Sequence, residues 1–327
     1  MYEQFFGLTQ NPFRMSPDPA FYYATTRHNE ALANLTYGVL MQKGFIVLTG
    51  EVGTGKTLLV RCLLETLHRS RVAHAYIFNP LVSSEDLMRM ILTDFGIREV
   101  KRTKAEMLQQ FSEYLIDVYR HGGVTALVID EAHLLTPALL EEIRLMTNLE
   151  TSQQKLLQIV LVGQPELDEN LDSPELRQVK QRISLRYQLE PLSDMEVRGY
   201  IGRRLEVAGA DGKLLQIFPP PTLARILHYA HGIPRLVNTI CDSAMISAYG
   251  RQTQTIAPSM IDEVAADLRL GFSAQAAKMT GTPIPSAQTN SEEELNRKLI
   301  VRTLLRLARL LEPGAEREDK NSRGMAV

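Results

Sequence analysis

A three-layer α/β domain followed by a small all-helical domain is the fold class that this 327-residue sequence predicts. Three observations carry it. Five apolar runs alternate with segments of helical periodicity, the pattern of a parallel sheet covered on both faces. A glycine-rich octapeptide joins the first run to the first of those helices. After Pro191 the strand signal stops and only helical periodicity continues.

The elements follow in chain order. Residues 1–43 open with a segment dense in aromatics and prolines (Phe5, Phe6, Pro12, Phe13, Pro17, Pro19, Phe21, Tyr22, Tyr23), and a helix is expected from about His28 to Met41. Aromatics at that density are expected to pack against the folded body, because a large exposed apolar patch is a liability. Strands are expected at 45–49, 72–78, 124–129, 157–163 and 184–190, with helices near 56–69, 84–95, 104–120 and 137–149. Together these make an α/β domain over 44–191. The helical domain, 192–270, is expected to hold helices near 193–208, 221–230, 234–249 and 258–269. Residues 271–292 are small, polar and proline-containing, the composition of a flexible linker. Over 293–311 an apolar face (Leu299, Ile300, Leu304, Leu307, Ala308, Leu311) runs beside a basic stripe (Lys298, Arg302, Arg306, Arg309). That amphipathic helix could meet a membrane surface or a partner. The tail from Pro313 is charged and reads as disordered.

Composition narrows the function classes. The net charge of −2 gives no global field for nucleic acid. Cys62 and Cys241 stand alone and far apart, so neither a zinc site nor a disulfide framework is expected and a reducing compartment fits. No secretory leader and no membrane-length apolar run is present, which predicts a cytoplasmic setting.

The chemistry starts at residues 50–57, Gly-Glu-Val-Gly-Thr-Gly-Lys-Thr, between Phe45-Ile46-Val47-Leu48-Thr49 and Leu58-Leu59-Val60. This is a G-x-x-x-x-G-K-[ST] phosphate-binding loop. Its glycines let successive N–H groups curl around phosphates at a helix N-terminus. Gly50, Glu51, Val52, Gly53, Thr54, Gly55, Lys56, Thr57 and Leu58 are thus the expected nucleotide contacts. Lys56 would pair with the β- and γ-phosphates, and the Thr57 hydroxyl would ligate Mg2+. In Ala126-Leu127-Val128-Ile129-Asp130-Glu131 an apolar run ends in two carboxylates. Asp130 is expected to hold Mg2+ through water, and Glu131 to orient or deprotonate the attacking water.

Asp130-Glu131-Ala132-His133 also spells a DEAH box, but a helicase of that class needs a second α/β motor domain, which the helical region after 191 does not supply. His133 is read as a structural or sensing residue. Gln164, at the end of Leu157–Gly163, is placed to bond the attacking water or the γ-phosphate. Arg182, between Arg177 and Arg186, is the candidate for a guanidinium inserted into a neighbouring subunit's site, with the choice among the three arginines open. Gly232-Ile233-Pro234-Arg235 opens a helix and puts Arg235 where it would contact nucleotide from the helical domain.

Taken together these motifs resemble an AAA+ ATPase: Walker A at 50–57, Walker B at 126–131, sensor 1 at Gln164, an arginine finger at Arg182 and sensor 2 at Gly232–Arg235. Phe6-Gly7-Leu8, Asn11-Pro12-Phe13, Ser16-Pro17-Asp18-Pro19, the run from Gly44 to Thr57 and Gly163-Gln164-Pro165-Glu166-Leu167 are similar to the ExeA/GspA family of the general secretion pathway. The resemblance covers about residues 1–270. It implies sheet order 5-1-4-3-2, a helical lid, ATP with Mg2+ as cofactors, and a ring or dimer with nucleotide at the interface. The lack of an Asn-Lys-x-Asp guanine motif agrees with ATP. Secretion members continue into a transmembrane helix and a peptidoglycan-binding domain, for which this sequence has no counterpart, so the family's membrane role is expected only as peripheral contact with the inner membrane. The partner implied is a secretion or envelope-export component. The second reading is a DNA-associated AAA+ regulator resembling the transposition ATPases, for which the basic stretch Arg98 to Lys104 is a short candidate patch.

Overall fold

Phe45–Gly50 (β1), Thr125–Ile129 (β3) and Leu157–Gly163 (β4) are buried along their whole length, as continuous apolar runs require in the middle of a parallel sheet. The computed structural model of the chain describes residues 2–151 and 154–270, which belong to one compact unit, Met1–Ala276. Ala73–Ile77 (β2) and Ile183–Leu189 (β5) complete a five-stranded sheet of order β2-β3-β4-β1-β5, all pairs parallel. This is the expected order. The two edge strands depart from the expectation of full burial: β5 alternates half-buried and exposed residues up to Leu189, because one edge and one face are open.

The helices are Tyr2–Phe6 (α1), Thr26–Leu40 (α2), Lys56–Arg69 (α3), Ser84–Asp94 (α4), Lys104–Arg120 (α5), Pro137–Met146 (α6), Glu166–Leu171 (α7), Arg177–Lys180 (α8), Asp194–Val207 (α9), Leu214–Ile217 (α10), Pro220–Ala230 (α11), Pro234–Gly250 (α12) and Pro258–Asp267 (α13). Local chemistry sets many of their starts. Ser83, Thr103 and Thr136 cap α4, α5 and α6 with side-chain oxygens, and Glu106 closes a capping box at Thr103. The periodic helices were legible; α1, α7, α8 and α10, at four to six residues, are too short to show a period.

Three apolar clusters hold the unit together. One lies on the face covered by α4, α5 and α6 and includes Phe111, Leu127, Ile143 and Leu161. A second covers the opposite face through α2 and α3, with Leu35, Leu59, Leu63, Val128 and Val162. The third is the core of the helical domain, built on α9, α11, α12 and α13. Tyr2, Phe6, Leu8 and Phe13 belong to this third cluster. The N-terminal segment is therefore divided, with residues 2–13 in the helical domain's core and α2 on the sheet; the stretch between them crosses from one to the other. The linker expected at 271–292, the amphipathic helix at 293–311 and the tail lie outside the described residues.

Candidate nucleotide site

Every strand of a parallel sheet presents its C-terminal end on the same edge, and the candidate residues collect there. β1 runs directly into the phosphate loop, and α3 begins at Lys56 with Gly55 as its N-cap in the left-handed region at φ 104°. No side chain caps this helix. Its first-turn N–H groups are left for an anion. Gly53, also at positive φ, has a second reason to be glycine, since a Cβ there would come within 2.6 Å of the Arg235 Cβ.

Lys56 is buried, and its Nζ donates to the carbonyls of Gly50 at 2.7 Å and Glu51 at 2.9 Å. Burial pulls its pKa below the usual lysine value, against the opposing pull of Glu131, Asp130, Glu51 and Glu166. Asp130 is 1% exposed. Its Oδ2 accepts from Thr57 Oγ1 and from the Tyr76 hydroxyl, each at 3.2 Å, and its Oδ1 accepts from the Glu131 N–H at 2.9 Å. Desolvation still raises its pKa above the ordinary carboxylate value, with the Glu131 charge adding to the rise. One cleft thus keeps a buried ammonium and a buried carboxylate that are both penalised as they stand. Phosphates against Lys56 and a divalent cation against Thr57 and Asp130 would relieve both, so this donor set fits magnesium nucleotide. Among the described residues no group of three His, Cys, Asp or Glu side chains could hold a metal, so the phosphates would complete its coordination.

Glu131 follows with φ 53° and ψ 35°, a left-handed backbone that a non-glycine residue adopts at a cost of about 1 kcal/mol or more. That kink turns its carboxylate out of the strand line towards the cleft, where it stands beside Gln164. Gln164 Nε2 lies 3.0 Å from His133 Nε2, and His133 Nδ1 lies 3.5 Å from Glu131 Oε2.

The helical domain closes the cleft from above. Arg235 N–H donates to the Gly53 carbonyl at 3.2 Å, and its exposed side chain lines the same cavity, of about 570 Å³. The Gly232 carbonyl accepts from the Leu192 N–H at 2.9 Å, and a Cβ on Gly232 would strike the Leu192 carbonyl oxygen. Arg182 lies elsewhere. Its neighbour Ile183 pairs with Phe45 at the start of β1, whereas Leu189 pairs with Gly50 at the phosphate loop. Arg182 therefore sits at the far end of the sheet, bonded to Asn148 at 3.2 Å, and cannot serve its own chain's loop. Arg186 is engaged by Asp168 and Asp172, each at 3.2 Å. Arg177 opens the short α8 and is absent from the cavity lining.

Sequence reasoning missed the other wall. Arg14, Met15, Ser16, Pro17, Tyr22 and Tyr23 line the cavity. This strap is held by Arg204 of α9, 5% exposed, whose guanidinium donates to the carbonyls of Pro12 and Arg14 at 2.5 and 2.9 Å and to the Tyr200 hydroxyl at 2.8 Å. Phe21 has two guanidinium carbons, those of Arg14 and Arg204, each 4.7 Å from its ring centre. Arg61 Nη1 ties Pro17 O to α3 at 2.6 Å. His28 was also missed: Nδ1 meets Thr25 Oγ1 at 2.8 Å and Nε2 meets the phosphate-loop carbonyl of Thr54 at 3.3 Å. Burial lowers its pKa, so the ring is held neutral. The density of prolines and aromatics in 12–23 was the available signal, though it does not say which partner they meet.

Comparison with known proteins agrees with this geometry. A family model described as "AAA domain" matches residues 39–171. The chain is 45% identical over 257 residues to general secretion pathway protein A of Aeromonas hydrophila, covering 78% of this chain and 46% of that protein. It thus spans about half the length of this curated relative. Among solved structures, a Drosophila ORC bound to DNA is 17% identical with a TM-score of 0.62, over 94% of this chain and 73% of that one. The ORC2 protein of Aeropyrum pernix, solved as ADPNP-ADP complexes, is 16% identical with a TM-score of 0.59, over 79% and 71%. At these identities the structures speak to fold alone. Within the described residues no helix is long and apolar enough to cross a membrane. Residues 39–171 thus match an AAA domain, the sheet and helices have the AAA+ P-loop NTPase fold, and over 78% of its length the chain is similar to general secretion pathway protein A.

Proposed function

We propose that the chain is a magnesium-dependent ATPase switch that works as an oligomer on a secretion or envelope-export apparatus. The observation that supports it most is the juxtaposition of buried Lys56 with buried Asp130 beneath an uncapped helix N-terminus. In this reading the phosphate-loop N–H groups, Lys56 and Arg235 hold the β- and γ-phosphates. Thr57 and Asp130 hold magnesium, partly through water, and the metal supplies charge neutralisation on the phosphates. Glu131 orients the attacking water and accepts its proton, and Gln164 bonds the same water or the γ-phosphate.

Arg182 acts in a neighbouring copy. Its position at the far end of the sheet separates it from its own loop, and by exchanging its bond to Asn148 it would reach across an interface, where a guanidinium would neutralise charge developing in the transition state. The secretion setting rests on the 45% identity to general secretion pathway protein A, and the setting is peripheral to the inner membrane in this reading. Two measurements test it. Mixing Arg182→Ala with Glu131→Gln subunits is expected to restore turnover that each lacks alone, and no restoration at any ratio would remove the finger from Arg182. Isolating the Glu131→Gln form with ATP from its own cells is expected to bring down envelope or secretion components; recovery of DNA with recombination proteins instead would overturn the secretion setting.

A further inference from the structure

Tyr76 has no part in the assignments above, although its hydroxyl reaches their centre. The β2–β3 register pairs Tyr76 with Val128, which puts its ring on the face of the sheet that Asp130 shares two residues further along. From there the hydroxyl donates to Asp130 Oδ2 at 3.2 Å. The ring packs against the apolar cluster under α2 and α3, and the Tyr76 N–H donates to the Asp94 carboxylate of α4 at 2.6 Å, which pins this edge strand. The side chain is half-buried and lines the nucleotide cavity together with Thr57.

The direction of that hydrogen bond decides what else the phenol can do. Its proton is committed to Asp130, and among the described residues nothing donates to its oxygen, so towards the cavity it can only accept. An ionised phosphate has no proton to offer it, whereas a water on a divalent cation is a strong donor. Acceptors for such waters are scarce in this cleft. In the proposed reading the protein offers magnesium one direct ligand, the Thr57 hydroxyl, and among the described residues no cluster of three ligating side chains exists. With two phosphate oxygens, about three of the octahedral positions are left to water, and each water brings two protons. Asp130 has about four acceptor sites. Thr57 and Tyr76 already donate to Oδ2, and the Glu131 N–H donates to Oδ1. Glu131 itself is reserved for the attacking water.

We propose that Tyr76 is an outer-sphere positioning residue of the magnesium site. Asp130 fixes its proton, and its oxygen accepts from a metal-bound water that the carboxylate has no site left to hold. The inference rests on the magnesium nucleotide reading of the cleft. It ties Tyr76 to the metal-dependent part of nucleotide affinity and leaves the part supplied by the phosphates alone untouched.

The test uses the full chain and Tyr76→Phe, which keeps the ring and its packing and removes only the hydroxyl. The Mg2+ concentration that half-saturates the complex with ATP is expected to rise about tenfold, the usual scale for losing an outer-sphere partner. Affinity for ATP in EDTA is expected to stay within about twofold of wild type. A tyrosine with a packing role alone would move both affinities together or neither. The chain holds 11 tyrosines and no tryptophan, so its near-ultraviolet absorption reports tyrosine directly. Mg2+ added to the wild type with ATP should perturb that absorption, and the change should be missing in Tyr76→Phe. Unchanged Mg2+ half-saturation in the variant, or an equal loss of affinity with and without the metal, would overturn the proposal. So would a wild type in which Mg2+ tightens ATP binding with no tyrosine change, a result that needs no variant and decides the matter should Tyr76→Phe fail to fold. A wild-type chain that binds no ATP, or binds it equally with and without Mg2+, would sink the reading of the cleft itself, an outcome distinct from failure of Tyr76→Phe alone.

Discussion

The two walls of the nucleotide cleft are built on different principles. The sheet wall holds Lys56, Thr57, Asp130 and Gln164 on backbone that the central strands fix. The strap wall, residues 12–23, has no regular structure beyond one 3-10 turn at Pro19–Phe21, and it is fixed by guanidinium and aromatic contacts from α9 and α3. In the proposed reading Lys56 and Asp130 carry their charges on the sheet wall, where misplacement of an ångström is costly, and Arg235 adds its own from the helical domain. The strap enters the lid's core at Phe13 and is tied to the sheet side through Arg61 of α3, so it bridges the two.

The largest effect that would break this contrast is expected on the sheet wall. Lys56→Ala should cost about 3 kcal/mol or more of nucleotide binding, over a hundredfold, while leaving thermal stability near wild type, since removing a desolvated ammonium relieves its own penalty. Retained binding by isothermal titration would show that the phosphates are gripped elsewhere. Arg204→Ala should do the reverse. It leaves the carbonyls of Pro12 and Arg14 without their buried donor and is expected to destabilise the fold by about 3 kcal/mol in urea unfolding. Phosphate-dependent steps on the sheet wall should survive in whatever fraction stays folded. If Arg204→Ala is neutral, the strap is held by its aromatic contacts alone.

A smaller effect concerns His28, which sits at the seam of the two walls. Burial lowers its pKa in the folded chain, so the unfolded chain binds its proton first as pH falls. Its contribution should be fully present above the unfolded value of about 6.5 and should decline as pH drops from there towards the lower folded value. Unfolding free energies at pH 7.5 and 5.5 for wild type and His28→Asn check this: the wild type should lose more over that interval, and equal losses would remove His28 as the source.

This contrast also explains what could be read before the structure. The phosphate loop, Asp130-Glu131 and Gly232–Arg235 are contiguous in sequence because each packs its function into one strand end or one helix start. Strand and helix bounds followed from apolar periodicity, which is a local property, whereas the strand order came from the family resemblance. The strap was illegible for the opposite reason. Arg204 meets Pro12 across 192 residues, and nothing near Pro12 announces a guanidinium. Tyr76, which bonds Asp130 from β2, looked like an ordinary strand aromatic, and only the β2–β3 register puts its hydroxyl over the carboxylate. Arg182 was chosen by its place before the last strand, and the register adds that it faces away from its own site.

The most direct test of the site as an ATP-hydrolysing machine is the Glu131→Gln chain, assayed side by side for nucleotide binding and for phosphate release. Affinity for ATP with magnesium should remain within about threefold of wild type while kcat falls about a hundredfold or more, because the amide can still sit beside the water but cannot take its proton. Phosphate release at the wild-type rate would contradict the account, and so would loss of binding in step with loss of turnover.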